Sequence, residues 1–323
     1  MPSKLTGSSF VDVRLSYLLQ GACVRKEKQP RSNQPCGTGK RSDRLSSREL
    51  QAGNRAWWSD NPMAYDWREE LEPRRFSREW FDAIDARFVY ASRLFATDVV
   101  PFDRIIPYDK LSGTRVLEVG CGMGLHTEMM SRGGADVTAV DLTHTAVEAT
   151  TARLALKGIV ARIVEADAEV LPFRAESFDF VWSWGVIHHS ARTARIVREI
   201  ARVLRPTGEC RVMVYNRNST SVRVAFLRDF VARGGFLRQS FDEQLYRTSD
   251  GFSARFYVRE HFEDLFRAFF EHVSSEICGQ DADALPLPRR AREFALRFVS
   301  EDYLRRAQGK VGSFIFLEAK GRV

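Results

Sequence analysis

The chain has few cysteines, few prolines and few histidines, and no long apolar run. Its five cysteines (Cys23, Cys36, Cys121, Cys210 and Cys278) are scattered through 323 residues with no CxxC spacing. That pattern gives neither a disulfide framework nor a zinc site, and it suits a reducing, cytoplasmic setting. The histidines His126, His144, His261 and His272 have no partner spacing that suggests a metal, so none is expected. No stretch approaches the roughly 20 apolar residues that a membrane-spanning helix needs, so no such helix is expected. The body also lacks strong charge of either sign. Residues 1–52 carry ten Lys and Arg against four acids, which is six of the net +7 of the whole chain. The remainder is close to neutral, so no large phosphate-binding footprint, and hence no nucleic-acid partner, is expected of it.

What is present is a globular composition, with 44% hydrophobic and 28% charged residues. The Ser-, Gln-, Lys- and Arg-rich stretch 1–52 is expected to be a disordered basic tail, since it has too little apolar surface to offset ordering entropy. Asp12 and Arg14 interrupt its one apolar patch, Phe10–Leu19, and spoil a secretory leader. From Trp57 onward the texture becomes aromatic and charged. Phe81, Ile84 and Phe88 mark an amphipathic helix, and Asn61–Pro62 fits a turn. Residues 53–110 are therefore read as a helical cap, with Trp57, Trp58, Tyr65 and Trp67 as candidate walls of a pocket.

Residues 111–216 alternate strand and helix signals. Strands are expected at 115–121, 136–142, 161–167, 178–185 and 209–216. Between the second and third, a helix with Val147, Thr151 and Leu154 on its buried face stops at Gly158; another, 196–204, buries Ile196, Ile200, Val203 and Leu204 and ends at Pro206–Gly208. Strands joined by helix-length crossovers demand a parallel sheet covered on both faces. The fold class is thus α/β, a doubly wound and mostly parallel sheet. Residues 217–323 supply the remaining strands, around 272–278 and at 312–321, separated by insertions at 217–257 and 280–310. The first insertion, with Tyr246 and Phe256, is a candidate lid.

The most informative segment is VLEVGCGMG, residues 116–124. Glycines at 120, 122 and 124 let the backbone turn sharply after a strand and let a ligand approach closely. Asp141 ends the second strand, where a carboxylate can accept both hydroxyls of a ribose, and Asp167 ends the third, where it can accept from an exocyclic amine. Both fall on the rim where doubly wound sheets bind ligands. A nicotinamide-binding fingerprint would place a third glycine at position 125, which is Leu125, and gives Asp167 no role.

VLEVGCGMG, AVDL (139–142), VEADAEVLPF (164–173), ESFDFVWSWGVIHH (176–189) and REIARVLRPTGE (198–209) together resemble the class I S-adenosylmethionine-dependent methyltransferases. The resemblance is to the type 11 branch that includes ubiquinone and menaquinone methyltransferases. It implies a Rossmann-like, seven-stranded sheet with an antiparallel last strand, which GSFIFLEAKG could supply. It also implies S-adenosylmethionine as cofactor. By that resemblance Gly120, Gly122 and Gly124 line its amino-acid portion, with Glu118 supporting the loop. Asp141 binds the ribose hydroxyls, Leu142 packs on the adenine, and Asp167 and Ala168 address the adenine amine and ring edge. Trp184 lies near the methionine part. The acceptor is then a small or lipid-like molecule, with His189, or alternatively His188, as a candidate base. An RNA or protein acceptor, and a cofactor-binding regulator without catalysis, stay open as alternatives. The acceptor's identity and the oligomeric state are not legible in the sequence.

Overall fold

The computed structural model describes residues 45–64, 71–97, 100–248 and 250–323. By its internal contacts the chain divides into two units. In the larger, the first five strands along the chain are parallel: β1 (Arg115–Val119), β2 (Asp136–Asp141), β3 (Arg162–Glu165), β4 (Phe178–Trp184) and β5 (Leu204–Asn216). A two-residue β6 (Phe256–Tyr257), then β7 (Phe270–Cys278) and β8 (Phe314–Arg322) complete the sheet. Its order is β3-β2-β1-β4-β5-β8-β7, with β6 parallel to the tip of β5 and β8 antiparallel to both β5 and β7. The doubly wound, mostly parallel sheet is therefore as expected, and GSFIFLEAKG supplies the antiparallel strand. Among the described residues no helix is long and apolar enough to cross a membrane.

The core explains this order. Leu117, Val119, Val181, Val212, Val214 and Leu317 come from the central strands and are buried together with Ile196, Val197 and Ile200 of a covering helix. Near-continuous apolar runs are what a parallel sheet covered on both faces requires.

Counting helices along the described residues, α1 is Ser47–Asp60, α2 Arg78–Ala91, α3 Tyr108–Leu111, α4 Leu125–Arg132, α5 His144–Lys157 and α6 Thr193–Val203. After β5 come α7 (Thr220–Ala225), a π-helical turn (Phe226–Ala232), α8 (Phe241–Thr248) and α9 (Arg259–Arg267), with shorter helices beyond. The smaller unit holds α2, whose Trp80, Phe81 and Ile84 are buried. There Phe76, Trp80 and Phe81 pack ring against ring, as do Phe88 and Phe102.

Three details differ from the sequence reading. First, α1 begins inside the stretch taken as tail, and residues 45–63 belong to the larger unit while 64–108 do not. Ser46 and Glu49 cap each other reciprocally, side chain to backbone in both directions, so this polar run is a helix start. Residues 1–44, Tyr65 and Trp67 lie outside the described residues, as does the side chain of Tyr246. Second, the buried stripe of α5 is Ala146, Ala149, Thr150, Arg153 and Leu154, and Thr151 faces solvent. Small alanines let the helix sit close to the sheet, and Arg153 is buried because it is paired. Third, β5 starts at Leu204. Residues 205–208 bulge between the pairs Phe178–Leu204 and Phe180–Glu209, which lets Pro206 sit in a strand without breaking the ladder.

Candidate functional site

The carboxyl ends of β1 to β5 share one rim, and the glycine turn occupies its centre. Gly120, Gly122 and Gly124 have φ of +85°, +51° and +80°. A Cβ on Gly120 would lie 2.2 Å from Val186 Cγ2, whereas one on Gly122 would meet nothing within 4 Å. The turn thus packs on its Gly120 side and is open over Gly122. Gly120 and Cys121 both donate to the Val140 carbonyl, which fixes the turn to the neighbouring strand. Glu118, buried at the end of β1, accepts from the Thr127 hydroxyl and lies 3.7 Å from His126 Nδ1, bracing α4 beneath the loop.

Asp141 joins the turn directly. Its Oδ2 accepts from Gly122 N at 3.1 Å, and its Oδ1 accepts from Thr143 N and Thr143 Oγ1, each at 3.0 Å. Burial pushes this carboxyl up, against the pull of those donors. Oδ2 holds only one bond, so it has a lone pair for a hydroxyl. Asp167, two residues past the end of β3, accepts at Oδ1 from Glu169 N (2.9 Å) and from Gln51 Nε2 (3.0 Å), leaving Oδ2 for an amine donor. A cleft of about 570 Å³ opens beside it, between α1 and the two loops that carry Glu169 and Arg192. Leu142 and Ala168 are half-buried at this edge. An open glycine cradle flanked by two carboxylates with oxygens to spare fits a nucleoside bearing an amino-acid tail.

The polar side chains of α1 were not found from the sequence. Besides Gln51, Asn54 Nδ2 donates to the His189 carbonyl at 2.6 Å, and Arg55 pairs with Glu165 at 2.7 Å. The S-x-x-E signature of Ser46 to Glu49 was the available signal.

At the end of β4 the two candidate methionine-side and base positions separate. Trp184 stacks on Trp182 at 5.8 Å and turns its edge to Phe314. His188 and His189 follow on a single 3-10 turn, both buried, with ring centroids 4.2 Å apart. Burial holds both rings below the ordinary histidine range, and for His189 the Asp250 charge and the Ser253 carbonyl oppose it. Trp58 meets His189 edge-on at 5.1 Å, and Phe256 lies 5.4 Å from Tyr215, so these two aromatic candidates reach the histidine end of the rim.

Residues 117–212 match the family described as "Methyltransferase domain". A curated relative, the "Ubiquinone biosynthesis O-methyltransferase" of Xanthomonas oryzae pv. oryzae strain PXO99A, is 31% identical over 163 residues, which is 49% of this chain and 65% of the relative. The protein of the same description from Methylocella silvestris is 32% identical over 174 residues, covering 53% and 63%. The chain thus spans somewhat under two-thirds of the length of these relatives. Among solved structures, an S-adenosylmethionine-dependent methyltransferase from Thermotoga maritima is 20% identical, with a TM-score of 0.46, over 73% of this chain and 90% of that one.

Proposed function

We propose that this chain, whose residues 117–212 match a methyltransferase domain, is a class I S-adenosylmethionine-dependent methyltransferase that moves a methyl group from that cofactor to a small-molecule or lipid-like acceptor. One observation carries the reading. The carboxylate that ends β2 is bonded to the open middle of the glycine turn, through Gly122 N and Asp141 Oδ2. Ribose and amino-acid portions of one ligand would therefore be gripped by a single connected unit.

In this reading Gly120, Gly122 and Gly124 admit the amino-acid portion, and Glu118 keeps the turn's foundation fixed. Asp141 binds the ribose, Leu142 and Ala168 flank the adenine, and Asp167 accepts from its amine. Trp184 borders the methionine part. The bound cofactor would supply a methyl group on a cationic sulfur, which is already a good leaving group. The chain's own task is then to align the acceptor and exclude water. His189 is the group offered to the acceptor. The curated relatives, described as O-methyltransferases of ubiquinone biosynthesis, support a small or lipid-like acceptor.

Calorimetric titration with S-adenosylhomocysteine tests this. One site per chain is expected, and Asp141→Ala should weaken it about ten- to a hundredfold, the worth of hydrogen bonds to a charged acceptor. Unchanged affinity in a folded Asp141→Ala variant would overturn the assignment.

A further inference from the structure

Behind the histidine end of the rim, four buried polar atoms have no hydrogen-bond partner among the described residues: Asn54 Oδ1, His188 Nδ1 and Nε2, and His189 Nε2. Buried polar groups are otherwise almost always satisfied, and a cluster left open is costly. The tautomer of His189 follows from its one bond. Nδ1 lies 2.7 Å from the Ser253 carbonyl, which can only accept, so Nδ1 carries the proton and Nε2 keeps a bare lone pair. Asn54 is oriented in the same way, because its Nδ2 donates to the His189 carbonyl and its Oδ1 is left to accept.

A loop, 250–255, straps this cluster. Arg255 N donates to the His188 carbonyl. Gly251 is pressed so close that a Cβ there would lie 2.8 Å from His189 Nδ1. Beside it, Asp250 accepts from the Tyr215 hydroxyl at 2.7 and 2.8 Å through its two oxygens. The Tyr215 ring covers His188 at 4.0 Å and meets His189 at 5.9 Å. Among the described residues, the groups facing His189 are therefore Asp250 on the strap, Tyr215 from β5, His188 on its own turn, and the neutral Asn54 and Trp58 from α1. Arg255 is turned away to the Ala191 carbonyl and Thr193, and Glu169 is engaged by Ser190 and Arg192.

We propose that this cluster receives the hydroxyl of a neutral alcohol or phenol acceptor, with His189 as its base and Asp250, held by Tyr215, as the residue that positions and balances it. The inference rests on the methyltransferase reading above. The acceptor's O–H bond breaks, its proton forms a bond to His189 Nε2, and the electron pair stays on the oxygen that takes the methyl group. The ring becomes cationic opposite the Asp250 carboxylate, and later loses the proton to solvent. Asn54 Oδ1 and His189 Nε2 can only accept, so a group that bonds to either must bring a proton. An anionic acceptor would face Asp250.

The test uses the full chain with isotope-labelled histidine, whose ring resonances report protonation without any acceptor. Removing the charge in Asp250→Asn should lower the pKa of His189. Tyr215→Phe should raise it, because the carboxylate then loses the phenol that shares its charge. A merely structural role would move both variants the same way, or neither, and either result overturns the proposal. Should Asp250→Asn fail to fold, Asp250→Glu must restore the wild-type titration. In the S-adenosylhomocysteine complex, phenol as probe should shift the His189 Nε2 resonance and benzoate should not; the reverse, or no response to phenol, overturns the hydroxyl class. Loss of S-adenosylhomocysteine binding by the wild type would instead refute the cofactor reading, with the histidine titrations still readable.

Discussion

Glu128 offers a severe test of how the glycine turn is held. It lies on α4 and accepts from Arg153 Nε at 2.7 Å, from Lys157 at 3.0 Å and from Arg132 at 2.9 Å. Arg153 has 0% side-chain exposure, so Glu128→Ala leaves a guanidinium buried without its carboxylate. Breaking a buried pair from one side costs about 3–5 kcal/mol. The Arg132 arm is 43% exposed and adds well under ~1 kcal/mol. In thermal unfolding the loss corresponds to a midpoint lowered by about 6–20 °C. The effect should reach the site, because Arg153 also donates to the Met123 carbonyl and its Cδ lies beside the Cβ position of Gly124. S-adenosylhomocysteine affinity should therefore fall as well. Arg153→Met added to Glu128→Ala should restore part of the stability, since the fully buried guanidinium that Glu128 balanced is then removed as well. A double variant no more stable than Glu128→Ala would refute the reasoning. The pH dependence has a definite sign. Burial alone would push the Glu128 carboxyl up, but the Arg153 and Lys157 charges outweigh it and hold it below the usual glutamate range. The stabilisation is thus present above the unfolded value of about 4.3 and is lost as pH falls through the lower folded value. The gap between wild type and Glu128→Ala should close in acid.

Two further outcomes follow from the same geometry. Gly120→Ala combines a φ of +85° with a contact of 2.2 Å to Val186, and should cost about 2 kcal/mol or more in denaturant unfolding and abolish tight cofactor binding; near-wild-type calorimetry would contradict the tight turn. Gln51→Ala frees Asp167 Oδ1 from its amide donor and should weaken S-adenosylhomocysteine binding about three- to tenfold, roughly one hydrogen bond's worth. Unchanged or tighter binding would show that α1 does not orient that carboxylate.

The parts legible in the sequence are those fixed by local chemistry. Apolar runs such as Arg115–Val119 end in glycine or aspartate because the chain must turn at the rim, and that alone located the turn, Asp141 and Asp167. The α5 face was misread because counting apolar residues cannot anticipate Arg153, whose burial depends on Glu128, 25 positions away. The α1 helix was masked by its composition, since Gln51, Asn54 and Arg55 look like solvated tail until the strand ends they reach are known. Tyr215 and Asp250 are 35 residues apart, and no spacing in the sequence links them.

The tip of β5 has an unusual mooring. Tyr215 is matched to Phe314 of β8 on one side and to Phe256 of β6 on the other. The 217–255 excursion therefore departs and returns at two neighbouring points of an already fastened rod. Lengthening or shortening its outer part, ahead of the 250–255 strap, leaves the phenol at the tip where it is. Within this architecture, the outer part of the excursion can be recast while the strand tip it springs from stays still.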